Sequence, residues 1–339
     1  MPRLPYGEAV ELAEAAFRRA GVRADDAGLA ASMLAEAEGM GIVTHGLSRV
    51  GTYVGRIEAG GIDARAVVPI VSPAPALRRL DGANGLGPVI AERARLAASE
   101  AARTCGAGVA VVRRVSHVGA LAPLLRRAAD DGFAAIVTTN TAPMLAPAGG
   151  REARIGNAPI GLAVPDPGGR HLILDMALST VSRSRIRAAA KAGETIPADW
   201  ATDEHGRPTT DPSRALTGIL RAIGGDKGAN LALGLDLMLA TLAGAAMLTE
   251  IPNAAETPDS PQGLGLMVAL IDAERLRPAR ERAGRLDEAR TILSGTARVD
   301  EGVPIRLPGD RALARLAEAR ASGLDLSDEC VAMLRRLGG

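Results

Sequence analysis

The chain is almost without aromatic side chains: one Trp, two Tyr and two Phe among 339 residues. Its core must therefore be built from Ala, Leu, Val and Ile, and an apolar content of 47% is enough for a large one. The same scarcity argues against nucleic-acid binding by base stacking, which needs exposed aromatic platforms. A formal net charge of +1 gives no electrostatic footprint for a polyanion. Most arginines are interleaved with Asp and Glu, as from Arg95 to Arg103, and read as solvated helix faces.

Length favours two domains. Apolar positions at helical spacing predict a helix over Gly7–Gly21, a second capped by Asp25 or Asp26 and running to Gly41, and a third capped by Thr44 and running to Gly60. Asp63–Pro75 reads as a connector carrying a strand. From Leu80 strands and helices alternate. Helices are expected at Val89–Arg103, Ala120–Asp131, Val181–Ala192 and Asn230–Leu248, and strands at Gly108–Val112, Phe133–Thr139, Ile160–Val164, Leu172–Asp175 and Leu264–Ile271. The tail returns to helices near Arg311–Arg320 and Ser327–Leu337. The expected architecture is a helical domain built from both termini (1–75 and about 300–339) around a mixed α/β domain (about 76–300).

Cys105 and Cys330 are too few for a disulfide framework, which points to a reduced, cytoplasmic setting. The first residues lack an apolar signal core. The longest apolar stretch, Leu231–Leu248, carries Asp236, and a packed helix is expected there rather than a membrane span.

Histidine and lysine are scarce, four and two respectively, and three of those six residues sit in glycine-punctuated motifs. Imidazole titrates nearest neutrality and is the usual carrier of a proton at pH 7. In Thr44-His45-Gly46-Leu47-Ser48-Arg49, the spacing of His45, Arg49 and Tyr53 puts all three on one face of the third helix. That face can hold a small carboxylic acid, with Arg49 gripping the carboxylate, His45 exchanging a proton and Thr44 orienting the ring. It can equally be a helix start with a surface histidine. Ser116-His117-Val118-Gly119-Ala120 follows a strand and opens a helix, where α/β sheets place ligands. His117 is either an acid/base, a cofactor contact or a capping residue. The loops Thr138–Gly150 and Gly156–Pro159 can bring backbone amides to a ligand, or be plain connections. Gly224-Gly225-Asp226-Lys227-Gly228 resembles a phosphate-cradling turn but lacks the Ser or Thr a Walker motif needs. There is no G-x-G-x-x-G after a strand, no metal-ligand cluster and no G-x-S-x-G elbow.

Taken in order, these motifs carry a resemblance. Thr44-His45-Gly46-x-x-Arg49-x-x-x-Tyr53, Asp81-Gly82 with Gly85-x-Gly87, Ser116-His117-x-Gly119-Ala120, Thr139-Asn140-x-x-Pro143 and Pro147-x-Gly149-Gly150 come first. Gly156-Asn157-x-Pro159, Asp175-Met176-Ala177-x-Ser179, Ile196-Pro197-x-x-Trp200-Ala201-x-Asp203, Pro208-Thr209-x-Asp211-Pro212 and Gly224-Gly225-x-Lys227-Gly228 complete the run. The set is similar to the type-2 malate/L-lactate dehydrogenase family, which includes ureidoglycolate, sulfolactate and cyclic-imine reductase members. The resemblance implies an NAD- or NADP-dependent oxidoreductase with a non-Rossmann cofactor fold, acting as a homodimer. It implies substrate and proton-transfer roles for Thr44, His45, Arg49 and His117, and substrate contacts at Tyr53, Asn157 and Arg183. It implies cofactor contacts at Val118, Gly119, Ala120, Leu121, Ala122, Asn140, Asp175, Met176, Ala177 and Lys227, with Arg298 and Gly302 in a C-terminal segment around Arg298–Pro304. Cyclic-imine reductases of the family carry an Asp shortly after the Asp-x-Ala motif, where this chain has Arg183-Ser184-Arg185; that favours an acidic substrate or the cofactor phosphates over a neutral imine.

The expected activity is hydride transfer between a nicotinamide and a small 2-oxo or 2-hydroxy acid, with His45 favoured over His117 as proton donor because Arg49 shares its helical face. The alternatives are a cyclic-imine carboxylate reductase and a catalytically silent ligand-binding homologue. Neither nucleic acid nor membrane is an expected partner.

Overall fold

The computed structural model describes residues 2–339. A short strand, β1 (Arg3–Leu4), leads into helices α1 (Tyr6–Arg19), α2 (Ala24–Gly39) and α3 (Arg49–Ala59), with a 3-10 turn at Val43–His45 before α3. Next come β2 (Ile70–Ala74), β3 (Leu77–Asp81), α4 (Gly87–Cys105), β4 (Ala107–Val115), α5 (Ala122–Asp130), β5 (Phe133–Thr139), β6 (Ile160–Val164) and β7 (Leu172–Met176). Then follow α6 (Arg183–Ala192), α7 (Pro212–Thr217), α8 (Asp226–Ala243), β8 (Leu264–Asp272), α9 (Ala273–Leu276), α10 (Ala279–Arg282) and α11 (Arg285–Ser294). The chain ends with α12 (Asp310–Ser322), β9 (Leu324–Asp325) and α13 (Asp328–Gly338).

Seven strands form one mixed sheet in the order β2-β3-β4-β8-β5-β6-β7. Only β3 and β4 run parallel, joined by the α4 crossover that such a pair requires; every other neighbour is antiparallel. On β8, Leu264, Leu266, Val268 and Leu270 turn inward at period two and fill the middle of the sheet. α4 covers that face with Ala91, Ala94, Ala98, Ala101 and Ala102, all buried. The approach is close: a Cβ added at Gly108 of β4 would lie 2.1 Å from the Ala98 carbonyl oxygen. With few rings available, backbones have moved together to exclude water.

The two ends of the chain meet. β1 pairs antiparallel with β9, α13 packs on α1, and α12 packs on α2. Leu4, Phe17, Leu34, Tyr53, Leu324 and Leu334 belong to one apolar cluster, which also takes in Leu86 and Val89 at the start of α4. A further cluster joins Leu145, Ile155, Leu178, Ile186 and Leu220, with Trp200 against it.

Several elements differ from the sequence reading. The third helix does not begin at Thr44. Thr44 and His45 lie in the 3-10 turn, and α3 starts at Arg49 because the backbone at Gly46 leaves helical geometry. α8 opens at Asp226 rather than Asn230 and stops at Gly244, whose left-handed backbone caps it short of Leu248. β3, α7 and α9–α11 were not anticipated; they are short or rich in exposed charge, so apolar periodicity does not mark them. Within α8, Asp236 is fully buried and accepts from Asn140 Nδ2 and the Leu248 N–H, as expected of a packed helix. No helix among the described residues is long and apolar enough to cross a membrane.

Candidate active site

Two of the four histidines stack on each other. The rings of His45 and His117 have centroids 5.3 Å apart and planes 25° from parallel. His45 arrives on the 3-10 turn and His117 on the segment after β4. Sequence spacing alone gave no reason to join them.

The turn is fixed from below by Glu38 of α2, whose Oε2 accepts the Leu47 N–H at 2.9 Å. It runs so close that a Cβ at Gly46 would fall 2.0 Å from that oxygen, so position 46 must be glycine for the turn to sit on the carboxyl. Burial pushes the Glu38 carboxyl up to about 7, against the opposing pull of the Leu47 N–H. Above it, Thr44 Oγ1 lies 2.9 Å from His45 Nδ1, and Arg49 Nε donates to the Thr44 carbonyl at 2.7 Å. The expected single helical face is thus replaced by a turn folded back on α3, yet Arg49 stays beside His45. Its two Nη nitrogens have no acceptor among the described residues, which leaves the guanidinium fork open for an anion. Burial first, and Arg49 second, lower the His45 imidazole to about 4.

His117 is held more tightly. Its Nδ1 lies 2.7 Å from the Tyr53 hydroxyl and accepts the Gly119 N–H at 3.3 Å. A backbone N–H can only donate, so Nδ1 is the unprotonated nitrogen of the neutral ring and Nε2 carries the hydrogen. Burial pushes the Tyr53 phenol above its usual range, so its hydroxyl keeps its proton and donates as well. Tyr53, expected to touch substrate, is buried with its hydroxyl committed to His117. Burial, then His45, Arg49 and Arg56, hold the His117 imidazole well below the ordinary histidine range. The site is electropositive with neutral imidazoles, which an anion would relieve.

The segments expected to bind a cofactor are brought into one row. Asp175, at the end of β7, accepts the Ala122 N–H with Oδ2 at 2.9 Å and so ties β7 to Val118–Ala122; burial raises its carboxyl. Met176 and Ala177 follow, half-buried. The Leu178 N–H donates to the Asn157 carbonyl, and the Ile223 N–H donates to the Leu178 carbonyl. The chain then reaches Gly224, Gly225 and the exposed Lys227 in the first turn of α8. Added Cβ atoms at Gly224 and Gly225 would meet nothing within 4 Å, so this helix end opens outward.

Other expected residues are occupied elsewhere. Asn140 is wholly buried, donating to Asp236 and the Ala246 carbonyl and accepting the Gly265 N–H, so its side chain is a structural clamp. Asn157 Oδ1 accepts from the Thr141 hydroxyl. Arg183 is turned to the carbonyls of Leu216 and Gly218, at 3.1 and 3.0 Å, rather than presented to a ligand. Arg298 donates to the Glu301 carbonyl and the Gly302 N–H to Asp300, so their recorded partners lie within their own turn. A concavity of about 700 Å³ lined by Arg170, Arg290, Ile305, Arg306 and Leu307 contains neither histidine.

Sequence reasoning missed three residues: Glu38, Arg56 and Gln262. The first two were legible in principle, Arg56 as the residue one helical turn from Tyr53 and Glu38 as a carboxylate on a mostly apolar stretch of α2. Gln262 lies in a loop and carried no signal.

The sequence matches the malate/L-lactate dehydrogenase family profile over residues 4–335. It is 34% identical over 331 residues to a (2R)-3-sulfolactate dehydrogenase (NADP(+)) from Chromohalobacter salexigens, covering 97% of this chain and 96% of that one. It is 30% identical over 338 residues to a Delta(1)-pyrroline-2-carboxylate reductase from Ancylobacter novellus, covering 99% and 97%. The crystal structure of sulfolactate dehydrogenase from Methanocaldococcus jannaschii superposes with a TM-score of 0.91 at 28% identity, covering 99% of this chain and 96% of that one. The match runs along nearly the whole sequence, and the chain belongs to the malate/L-lactate dehydrogenase family.

Proposed function

We propose that this protein is an NAD(P)-dependent oxidoreductase that interconverts a small anionic 2-oxo acid and its 2-hydroxy acid. The observation that carries the reading is the His45–His117 stack beside the open guanidinium of Arg49. Arg49 takes the substrate carboxylate through its free Nη pair, a bidentate contact that also orients the neighbouring carbonyl. His117 is the proton donor. With Nδ1 held by Tyr53 and Gly119, its Nε2 edge is the one left for the substrate oxygen. The substrate's negative charge offsets Arg49 and raises the imidazole, so that the ring takes a second proton on Nδ1 with the Tyr53 hydroxyl turning to accept it; the imidazolium then gives its Nε2 proton to the substrate oxygen and is left neutral. His45, with Thr44 on Nδ1, stacks on His117.

The nicotinamide, when bound, supplies or accepts the hydride. The residues present suit such a group: a helix end with exposed N–H groups and the Lys227 ammonium for phosphates, reached along a hydrogen-bonded row from Ala122 and Asp175. This is the contact set we assign to Val118–Ala122, Asp175–Ala177 and Lys227. Free thiols at Cys105 and Cys330 support a reducing, cytoplasmic compartment. A homodimer is supported by α8, whose Leu231, Leu235, Met238 and Leu242 fall on one stripe, with Leu231 and Leu242 46% and 57% exposed.

The test is a reductant-by-substrate panel: NADH and NADPH against pyruvate, oxaloacetate, sulfopyruvate and a cyclic imine carboxylate. Turnover of the 2-oxo acids above the imine is expected. Preference for the imine would support the reductase reading that the Ancylobacter relative represents, and binding of neither nucleotide would contradict the proposal.

A further inference from the structure

Behind His117 lies a buried cation without a counter-charge. Arg56 of α3 is 2% exposed, and no carboxylate among the described residues lies within salt-bridge range of it. Its Nη1 donates to Gln262 Oε1 at 2.8 Å, its Nη2 donates to the carbonyls of Ser260 and Gly61, and its Nε has no acceptor. Gln262, 6% exposed, shares that Oε1: it also accepts the backbone N–H of His117 at 3.1 Å. One amide oxygen therefore connects a buried guanidinium to the peptide that carries the proposed acid. A burial of charge this costly is not needed to fasten α3 to the 258–262 segment, because a neutral donor or an added carboxylate would do so more cheaply.

We propose that Arg56 and Gln262 are positioning residues for His117: the shared oxygen fixes the His117 backbone so that its ring stacks on His45, and the unpaired guanidinium adds to Arg49 in drawing an anion to that ring. The inference rests on the reading of His117 as proton donor. The groups facing His117 are Arg49, Tyr53 and Arg56 from α3, His45 from the 3-10 turn and Gln262 from the segment before β8. None is a carboxylate. The neutral imidazole of the empty site follows from that composition.

The decisive variant is Gln262→Glu, which keeps the shared acceptor oxygen and the shape but places a carboxylate between Arg56 and His117. With only four histidines in the chain, imidazole NMR signals can be followed individually, His117 being assigned by its loss in His117→Ala. In the unaltered protein His117 titrates well below the ordinary histidine range; in Gln262→Glu its titration moves up by about one pH unit or more, and KM for the 2-oxo acid rises about tenfold. Gln262→Ala, which removes the acceptor and adds no charge, lowers kcat about tenfold. An unmoved His117 titration in Gln262→Glu would overturn the electrostatic part, and an unaltered kcat in Gln262→Ala the positional part. The titration needs no turnover, so it stands even if the panel finds no 2-oxo acid substrate.

Discussion

At the scale of the residue, the site was legible where rarity and short motifs coincide. His45, Arg49 and His117 stood out because a chain with four histidines placed two of them in glycine-rich turns. Tyr53 was seen but misassigned, since only the fold shows that its hydroxyl is spent on His117. Arg56 and Gln262 meet across 206 residues of sequence, and no local pattern encodes such a contact. Glu38 supplies a prediction of its own. Burial raises its carboxyl from 4.5 to about 7, so the folded state binds a proton there that the unfolded state has released. That contribution to stability is present below about pH 4.5 and is lost as pH rises through about 7. Glu38→Gln keeps an oxygen for the Leu47 N–H and removes the titration. Thermal melts should show the variant gaining on the order of 1–2 kcal/mol over the unaltered protein at pH 8 and little at pH 4.5. Parallel melting curves across that range would contradict the account.

At the scale of the element, apolar periodicity located most of the sheet. β5 and β6 have the bounds expected from their sequence, because each is a short, mostly apolar run between turn residues. The third helix failed at its start because the backbone at Gly46, with ψ −147°, is not helical, and nothing in apolar spacing marks that break. The four-residue helices α9 and α10 failed because they are too short to show a period, and α11 because none of its residues is buried. The packing of α4 on β4 makes a quantitative claim about this aromatic-poor core. Gly108→Ala places a methyl group 2.1 Å from the Ala98 carbonyl, on backbone that cannot step aside cheaply. A loss of about 3 kcal/mol is expected in chemical denaturation, and a loss under about 0.5 kcal/mol, the range of an ordinary surface change, would refute the close approach.

At the scale of the whole molecule, the order of the strands was not legible. β4 and β5 follow one another in sequence, but β8 is inserted between them, and only long-range pairing decides that. Both ends read as helices flanking a strand-rich middle, and in the fold β1 pairs with β9 while α13 packs on α1. The same scale holds an ionic link: Glu36 of α2, 2% exposed, receives Arg126 and Arg127 of α5. Assembly is tested on the α8 stripe. Leu231→Glu with Leu242→Glu should convert a dimer to a monomer in light scattering, whereas an unchanged mass would move the interface elsewhere.

The central claim is that the stacked histidines serve hydride transfer to an anionic 2-oxo acid, with His117 giving the proton. It is tested most directly by single-turnover oxidation of the preferred nicotinamide by a 2-oxo acid in the unaltered protein, His45→Ala and His117→Ala. Loss of about 100-fold or more in His117→Ala, with a smaller loss in His45→Ala, is the predicted result. Near-normal rates in His117→Ala would contradict it.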